Sequence, residues 1–264
     1  VIAVTAAERA AVKWLAVRGI RVSEATQLLT YRLSVRRGKS EPGAFTYVFV
    51  TNAVLVIGVF GYQVVPWLDR ADLPDAGVPW FVWTSLVLTN WLQIRAGDRR
   101  AVAWLGDERL IRPRPPWREV VNGWYAASLA VTFGGGAVLA VTMVAGGSVW
   151  ARFWLGAIVL GAAVEAVVLT SIVRRPVIAE DEGSLAVDTV TRLQDVHCTV
   201  PSLFAVPVLV DLGYPDLPGK AWLAGYVALA VTTHVIGYFA QRRRVPPLPP
   251  GARYGPGLSG STPS

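Results

Sequence analysis

At 264 residues, the chain is 53% apolar and only 16% charged, whereas a soluble domain carries about 25% charged side chains. A mean hydropathy of +0.44 agrees, which excludes a largely disordered chain, and the single cysteine excludes a disulfide scaffold. The net charge of +7 fits nucleic acid, anionic lipid or membrane topology, and its distribution decides among them.

The N-terminal region, residues 1–43, opens with Thr5-Ala6-Ala7-Glu8, the spacing of a capping box. A helix is expected from there to about Gly19, and a second from near Ser23. On the second, Ala25, Leu29 and Leu33 form an apolar stripe, with Arg32 and Arg36 on a basic one. That pairing suits helices lying in the cytoplasmic interface with their arginines at anionic head groups; a solvated helix pair is the alternative. The region is too charged for a cleavable signal peptide, so the first hydrophobic span is expected to act as its own signal.

A hydrocarbon core about 30 Å thick needs roughly 20 apolar helical residues. Residues 44–68, 121–146, 149–173 and 221–240 meet that length. Residues 79–94 and 200–214 are shorter, and must extend into flanking residues or thin the bilayer. Pro201 and Pro207 fit a broken fifth span. The expected fold is an all-α polytopic transmembrane bundle of about six spans, over residues 44–240. Of 25 Lys and Arg residues, all but Arg70, Arg152 and Lys220 then lie on one side. Positive residues are retained in the cytoplasm, so both termini are expected there, in a bacterial cytoplasmic membrane. This accounts for the basic charge without nucleic acid.

Between spans, residues 95–120 are arginine-rich, with two helical turns expected over 101–110 before the prolines. The 174–199 connection carries Arg174-Arg175-Pro176, the acidic Glu180-Asp181-Glu182 and then a helix. Residues 241–264 read as a disordered Pro/Gly-rich cytoplasmic tail. External loops are minimal. Trp67, Trp80, Trp150 and Trp222 fall near expected outer boundaries, as an aromatic belt does.

Four polar side chains in four spans share a depth in the cytoplasmic half: Glu165, His234, Asn90 and Asn52. Glu165 lies nine residues before Arg174, roughly 13 Å along the helix, where an ionised carboxylate is costly and needs a partner, a proton or water. His234 is the first candidate partner. The layer reads either as hydrogen-bonded glue between helices or as a functional ionisable site. Gly134-Gly135-Gly136, Gly156 and Gly161 read as close helix packing, with gating at the glycine triplet as the minor reading. Metalloprotease, nucleophile-elbow, Walker and C-x-x-C signatures are absent, and His197-Cys198 makes a poor metal site. No catalytic residue, metal or cofactor is assigned, and a membrane enzyme with an unrecognised site ranks last.

Arg175-Pro176-Val177-Ile178-Ala179-Glu180-Asp181, Ala186-Val187-Asp188 and Arg192-Leu193-Gln194-Asp195-Val196-His197 carry a resemblance to uncharacterised six-span integral membrane proteins of high-GC Gram-positive bacteria. The resemblance implies the fold and no activity. The layout is also similar to export-type ATP-binding-cassette permeases, in topology alone. The leading expectation is a transport-related membrane subunit without its own ATPase, partnered by a cytoplasmic ATPase subunit. The alternative is a proton-linked secondary transporter using Glu165 and His234.

Overall fold

The computed structural model describes residues 5–39, 77–106, 115–212 and 219–257. The expected first span at 44–68, with Asn52 and Trp67, lies outside the described residues. Among those residues the regular elements are helical, with one isolated β-bridge between Val22 and Gly257.

Helix α1 (Ala6–Ala16) is capped by Thr5, whose side chain accepts the Glu8 N–H at 3.2 Å. It ends three residues before the Gly19 that was expected to close it, and Gly19 takes a φ of +84° in the turn that follows. Helix α2 (Gln27–Leu33) starts four residues later than expected, with Thr26 as its cap, and continues as a 3₁₀ turn over Ser34–Lys39. Ser23 is committed elsewhere. Its backbone N–H and its hydroxyl both donate to the Pro256 carbonyl, at 2.8 and 2.9 Å.

Helix α3 (Gly77–Leu105) absorbs the short second span and the turns expected from residue 101 into one 29-residue helix. Helix α4 (Gly123–Ala145), α5 (Val149–Arg174) and α7 (Lys220–Arg244) follow. These three contain segments of 23, 25 and 25 residues that are long and apolar enough to cross a membrane, with mean hydropathies of 1.8, 2.2 and 1.5. Their outer faces leave Val138, Phe153, Val159, Val167 and Phe239 exposed. A soluble monomer rarely exposes so continuous an apolar surface, whereas hydrocarbon contact requires one. Trp154, Ile158, Phe204, Leu223, Tyr226 and Ala230 fill the space between the helices.

Close approach between the apolar helices is tightest at two glycines. A Cβ on Gly161 of α5 would stand 2.6 Å from the Phe204 ring, and one on Gly136 of α4 would stand 2.8 Å from the Tyr226 hydroxyl. Gly134 and Gly156, read from sequence as packing residues too, face open space. Residues 130–135 of α4 form a π turn. In it the Thr132 carbonyl accepts the Tyr226 hydroxyl at 2.7 Å.

The fifth stretch does not form one helix. Pro201–Phe204 is a 3₁₀ turn and Val208–Asp211 a single α turn, because proline at 201 and 207 removes two backbone donors. Trp80 departs from the expected belt as well: it is buried and donates its indole N–H to the Phe204 carbonyl at 2.9 Å. Trp222 is exposed as a belt residue would be.

A second core lies beside the bundle. Helix α6 (Glu182–Val196) begins with a capping box in which Asp181 and Ser184 satisfy each other's backbone N–H groups. Its Val187 and Val190 pack against Trp14, Leu15, Leu29 and Leu33 of α1 and α2. Residues 245–257, expected as a disordered tail, complete this core: Leu248 and Tyr254 are buried in it, and the Thr26 N–H donates to the Tyr254 carbonyl at 3.0 Å. Two large apolar anchors in an otherwise Pro/Gly-rich segment provide the burial that orders it.

Candidate functional site

Two buried polar clusters emerge, one inside the bundle and one on the Arg-rich side where the second core meets it.

The inner cluster is organised by Tyr125, in the first turn of α4. Asn122 caps that helix: its side-chain oxygen accepts the Tyr125 N–H at 2.7 Å, and its amide donates to the Gly237 carbonyl and to Gln241 Oε1 at 3.0 and 2.7 Å. Gln241 in turn donates to the Val120 carbonyl at 3.0 Å. These bonds clamp the start of α4 to the last turns of α7. Gly237 lies so near that a Cβ there would stand 3.1 Å from the Tyr125 nitrogen.

The Tyr125 hydroxyl, fixed in this way, meets three oxygens: Glu165 Oε1 at 3.1 Å, the Val196 carbonyl at 3.0 Å and, in a short contact, Thr199 Oγ1. Thr199 also reaches the Val196 carbonyl at 2.8 Å. Glu165 is only 2% exposed, and its Oε2 has no hydrogen-bond partner. Two imidazoles flank the phenol ring. His197 lies edge-on with centroids 5.4 Å apart, His234 lies at 6.3 Å, and the two histidine rings are 6.5 Å apart. Neither His197 nitrogen has a hydrogen-bond partner, nor has His234 Nδ1.

Glu165 therefore takes its hydrogen bond from Tyr125 and not from His234, the partner named from sequence. The two are brought to one cluster with Tyr125 common to both. Asn90 is half-buried on α3 and makes no bond to this cluster. Three participants were missed. Tyr125 and Thr199 carry no charge to mark them inside an apolar segment, and His197 was weighed only as a metal ligand. Among the described residues no group of three or more His, Cys, Asp or Glu side chains gathers as a metal site.

The hydroxyls make this cluster tolerant of a proton. A phenol has one hydrogen to give and can also accept. With Glu165 ionised, Tyr125 donates to it and accepts from Thr199. With Glu165 protonated, its own O–H can donate to the Tyr125 oxygen, Tyr125 turns its hydrogen to Thr199 Oγ1, and Thr199 donates to the Val196 carbonyl. Neither state strands a donor.

The outer cluster joins four arginines to three aspartates. Arg32 of α2 donates to Asp188 Oδ1 at 2.8 Å, to Thr191 and to the Ile178 carbonyl. Arg36 grips Asp98 and Asp195 at 3.0 and 2.8 Å. Arg175, just past α5, reaches Asp98 at 2.6 Å and Asp195 at 2.9 Å. Arg192 pairs with Asp188 at 3.0 Å through Nη2 and directs Nη1 to the carbonyls of Ile172, Val173 and Arg175. A guanidinium at these orphan carbonyls both caps α5 and suits its dipole.

Burial opposes ionisation of Asp98, but Arg175, Arg36 and Arg32 outweigh it and hold the carboxyl below the usual carboxylate range. Asp188 follows the same pattern, burial being overcome by Arg32, Arg175 and Arg192. Burial depresses Arg32 despite Asp188 and Asp98, whereas in Arg36 the attraction of Asp195 and Asp98 exceeds the burial penalty and raises it. Arg32 and Arg36 were read as a basic stripe for lipid head groups. That is corrected: both are buried, turned inward onto the three aspartates.

Comparison with protein-family models, with curated proteins and with solved structures gave no match to this chain.

Proposed function

We propose that the chain is a transport protein of the bacterial cytoplasmic membrane, of about six spans with both termini cytoplasmic, whose work is linked to proton exchange at Glu165. The carrying observation is the buried carboxyl of Glu165, held on one oxygen by Tyr125 and unpartnered on the other. Ionisable groups inside a membrane bundle are costly, and characteristically serve proton relays and ion pathways. The neighbouring hydroxyls accept either protonation state, and two imidazoles stand beside Tyr125 to pass a proton on. A permease-like subunit served by a separate cytoplasmic ATPase shares the topology, but no geometric observation favours it over the proton-linked form.

Purified full-length protein in weakly buffered detergent solution tests the reading. A transported solute drawn from a broad panel should drive proton uptake or release by the wild type. Glu165→Gln keeps the shape and a hydrogen-bond donor but cannot titrate, so it should fold and lose that response. A solute-dependent proton signal that survives in Glu165→Gln would overturn the role of this carboxyl. Reporter fusions at Gly106 and after Ala240 should read cytoplasmic and one at Gly147 external; an external Gly106 removes the orientation.

A further inference from the structure

The N-terminal arginines are turned away from lipid, yet three other arginines are not. Arg95 and Arg99 stand one turn apart on α3, and Arg174 ends α5; all three are exposed and none forms an ion pair with another described residue. They line a cleft of about 760 Å³ between α3 and α5. Part of its lining is apolar: Ile94 and Ile172 are buried, and Ala166 and Val167 are exposed along it. Trp91 closes one wall, pinned by its indole N–H to Ser171 Oγ at 3.1 Å, with the Arg95 guanidinium 5.1 Å from its ring. Among the described residues the carboxylate at the cleft is Asp98, which Arg36 and Arg175 already neutralise.

Position and chemistry agree on one occupant. Arg174 marks the end of the apolar run of α5, where hydrocarbon gives way to head groups. The cleft combines alkane-like lining with three cations that no carboxylate among the described residues pairs. A free anion would use the cations and leave the apolar lining wet; a neutral lipid would do the reverse. We propose that this cleft binds one anionic phospholipid, its phosphate held by Arg95, Arg99 and Arg174 and an acyl chain lying along Ala166, Val167 and Ile172. The cleft is then a lipid site built by the fold, distinct from diffuse attraction of a basic segment to a charged surface. It rests on the membrane reading of the chain but not on the proton chemistry of Glu165.

Short-chain phosphatidylglycerol, phosphatidylcholine and glycerol phosphate, each added to the detergent-purified full-length protein and followed by native mass spectrometry, test the proposal. One phosphatidylglycerol should bind saturably, with phosphatidylcholine much weaker and glycerol phosphate not competing. Arg95→Gln/Arg99→Gln/Arg174→Gln removes three exposed charges and should weaken the complex about a hundredfold. Thr170→Trp, at an exposed position lining the cleft, keeps the charges and fills the space, and should also block binding. Circular dichroism and size exclusion confirm that both variants fold. Equal binding of the two lipids, unchanged binding in either variant, or full competition by glycerol phosphate overturns the proposal. A chain that stays monodisperse without detergent instead overturns the membrane reading beneath it, and loss of the Glu165 proton response leaves lipid binding untouched.

Discussion

Asp98→Asn keeps the size of the side chain and deletes one charge from the middle of the outer cluster. Arg36 Nη2 lies 3.0 Å from both Asp98 oxygens, Arg175 Nη1 lies 2.6 Å away and Arg32 Nε 3.4 Å. Removing one member of a buried ion pair costs about 3–5 kcal/mol, because the charge left behind stays desolvated. The lower end applies here, since Arg36 and Arg175 keep Asp195 at 2.8 and 2.9 Å. About 3 kcal/mol is roughly a hundredfold in an equilibrium. The weakened joint is the one between α2 and α3, so the loss should appear as local opening of the N-terminal helices. Hydrogen exchange of the detergent-purified protein should show α2 amides exchanging roughly a hundredfold faster, with α5 unchanged. Adding Arg36→Met removes one of the cations left in excess, while Asp195 keeps Arg175, and should recover part of the protection. Unchanged exchange in α2, or an equal acceleration in α4, α5 and α7, would refute the argument.

Acid should act on the same joint. Asp98 and Asp188 have folded-state pKa values below their unfolded value of about 3.9. Their contribution is complete above that value and is lost as pH falls through the folded values, so α2 protection, corrected for intrinsic exchange, should stay level from about pH 8 to 5 and fall below about 4. Gly161→Ala places a Cβ 2.6 Å from the Phe204 ring and should cost about 1–3 kcal/mol in thermal unfolding, while Gly156→Ala, with open space, should be neutral or gain up to about 1 kcal/mol. Tyr254→Ala removes a buried ring and its hydrogen bond to the Pro249 carbonyl. A loss of about 3 kcal/mol should free residues 245–257 and speed trypsin cleavage at Arg253; an unchanged cleavage rate would mean that the segment is held by its backbone alone.

The long apolar helices were legible because hydrocarbon thickness imposes a length on the sequence, and α4, α5 and α7 start and end within four residues of the expected bounds. Helix starts were legible where a side chain must satisfy backbone donors, as at Thr5. The start of α2 was not: Ser23 and Thr26 are equally good caps, and only the distant Pro256 carbonyl draws Ser23 away. Arg32 and Arg36 illustrate the larger gap. Their spacing fits a basic surface stripe, but Asp98, Asp188 and Asp195 lie 62 to 159 residues away in sequence, and periodicity within one helix carries no information about them. Glu165 and His234 stood out because charge and polarity are rare in spans. Tyr125 did not, although it is the side chain that brings their surroundings together.

Four arginines and three aspartates withdrawn from water are a poor way to add stability, since apolar side chains of similar volume often do better. What they supply is direction. Arg192 bonds the end of α5 while pairing with Asp188, and Asp195 receives Arg36 and Arg175 from two other segments. A slide of α6 by one turn would break all of these bonds together, whereas packed valines and leucines would tolerate much of it. The register so fixed matters one residue further on: Val196 supplies the carbonyl, and Thr199 the hydroxyl, that meet Tyr125 beside Glu165. Apolar packing could hold α6 against the bundle. The ion pairs, through their geometry, determine which of its backbone atoms faces the buried carboxyl's partner, and a shift of one turn would take the Val196 carbonyl away from the Tyr125 hydroxyl.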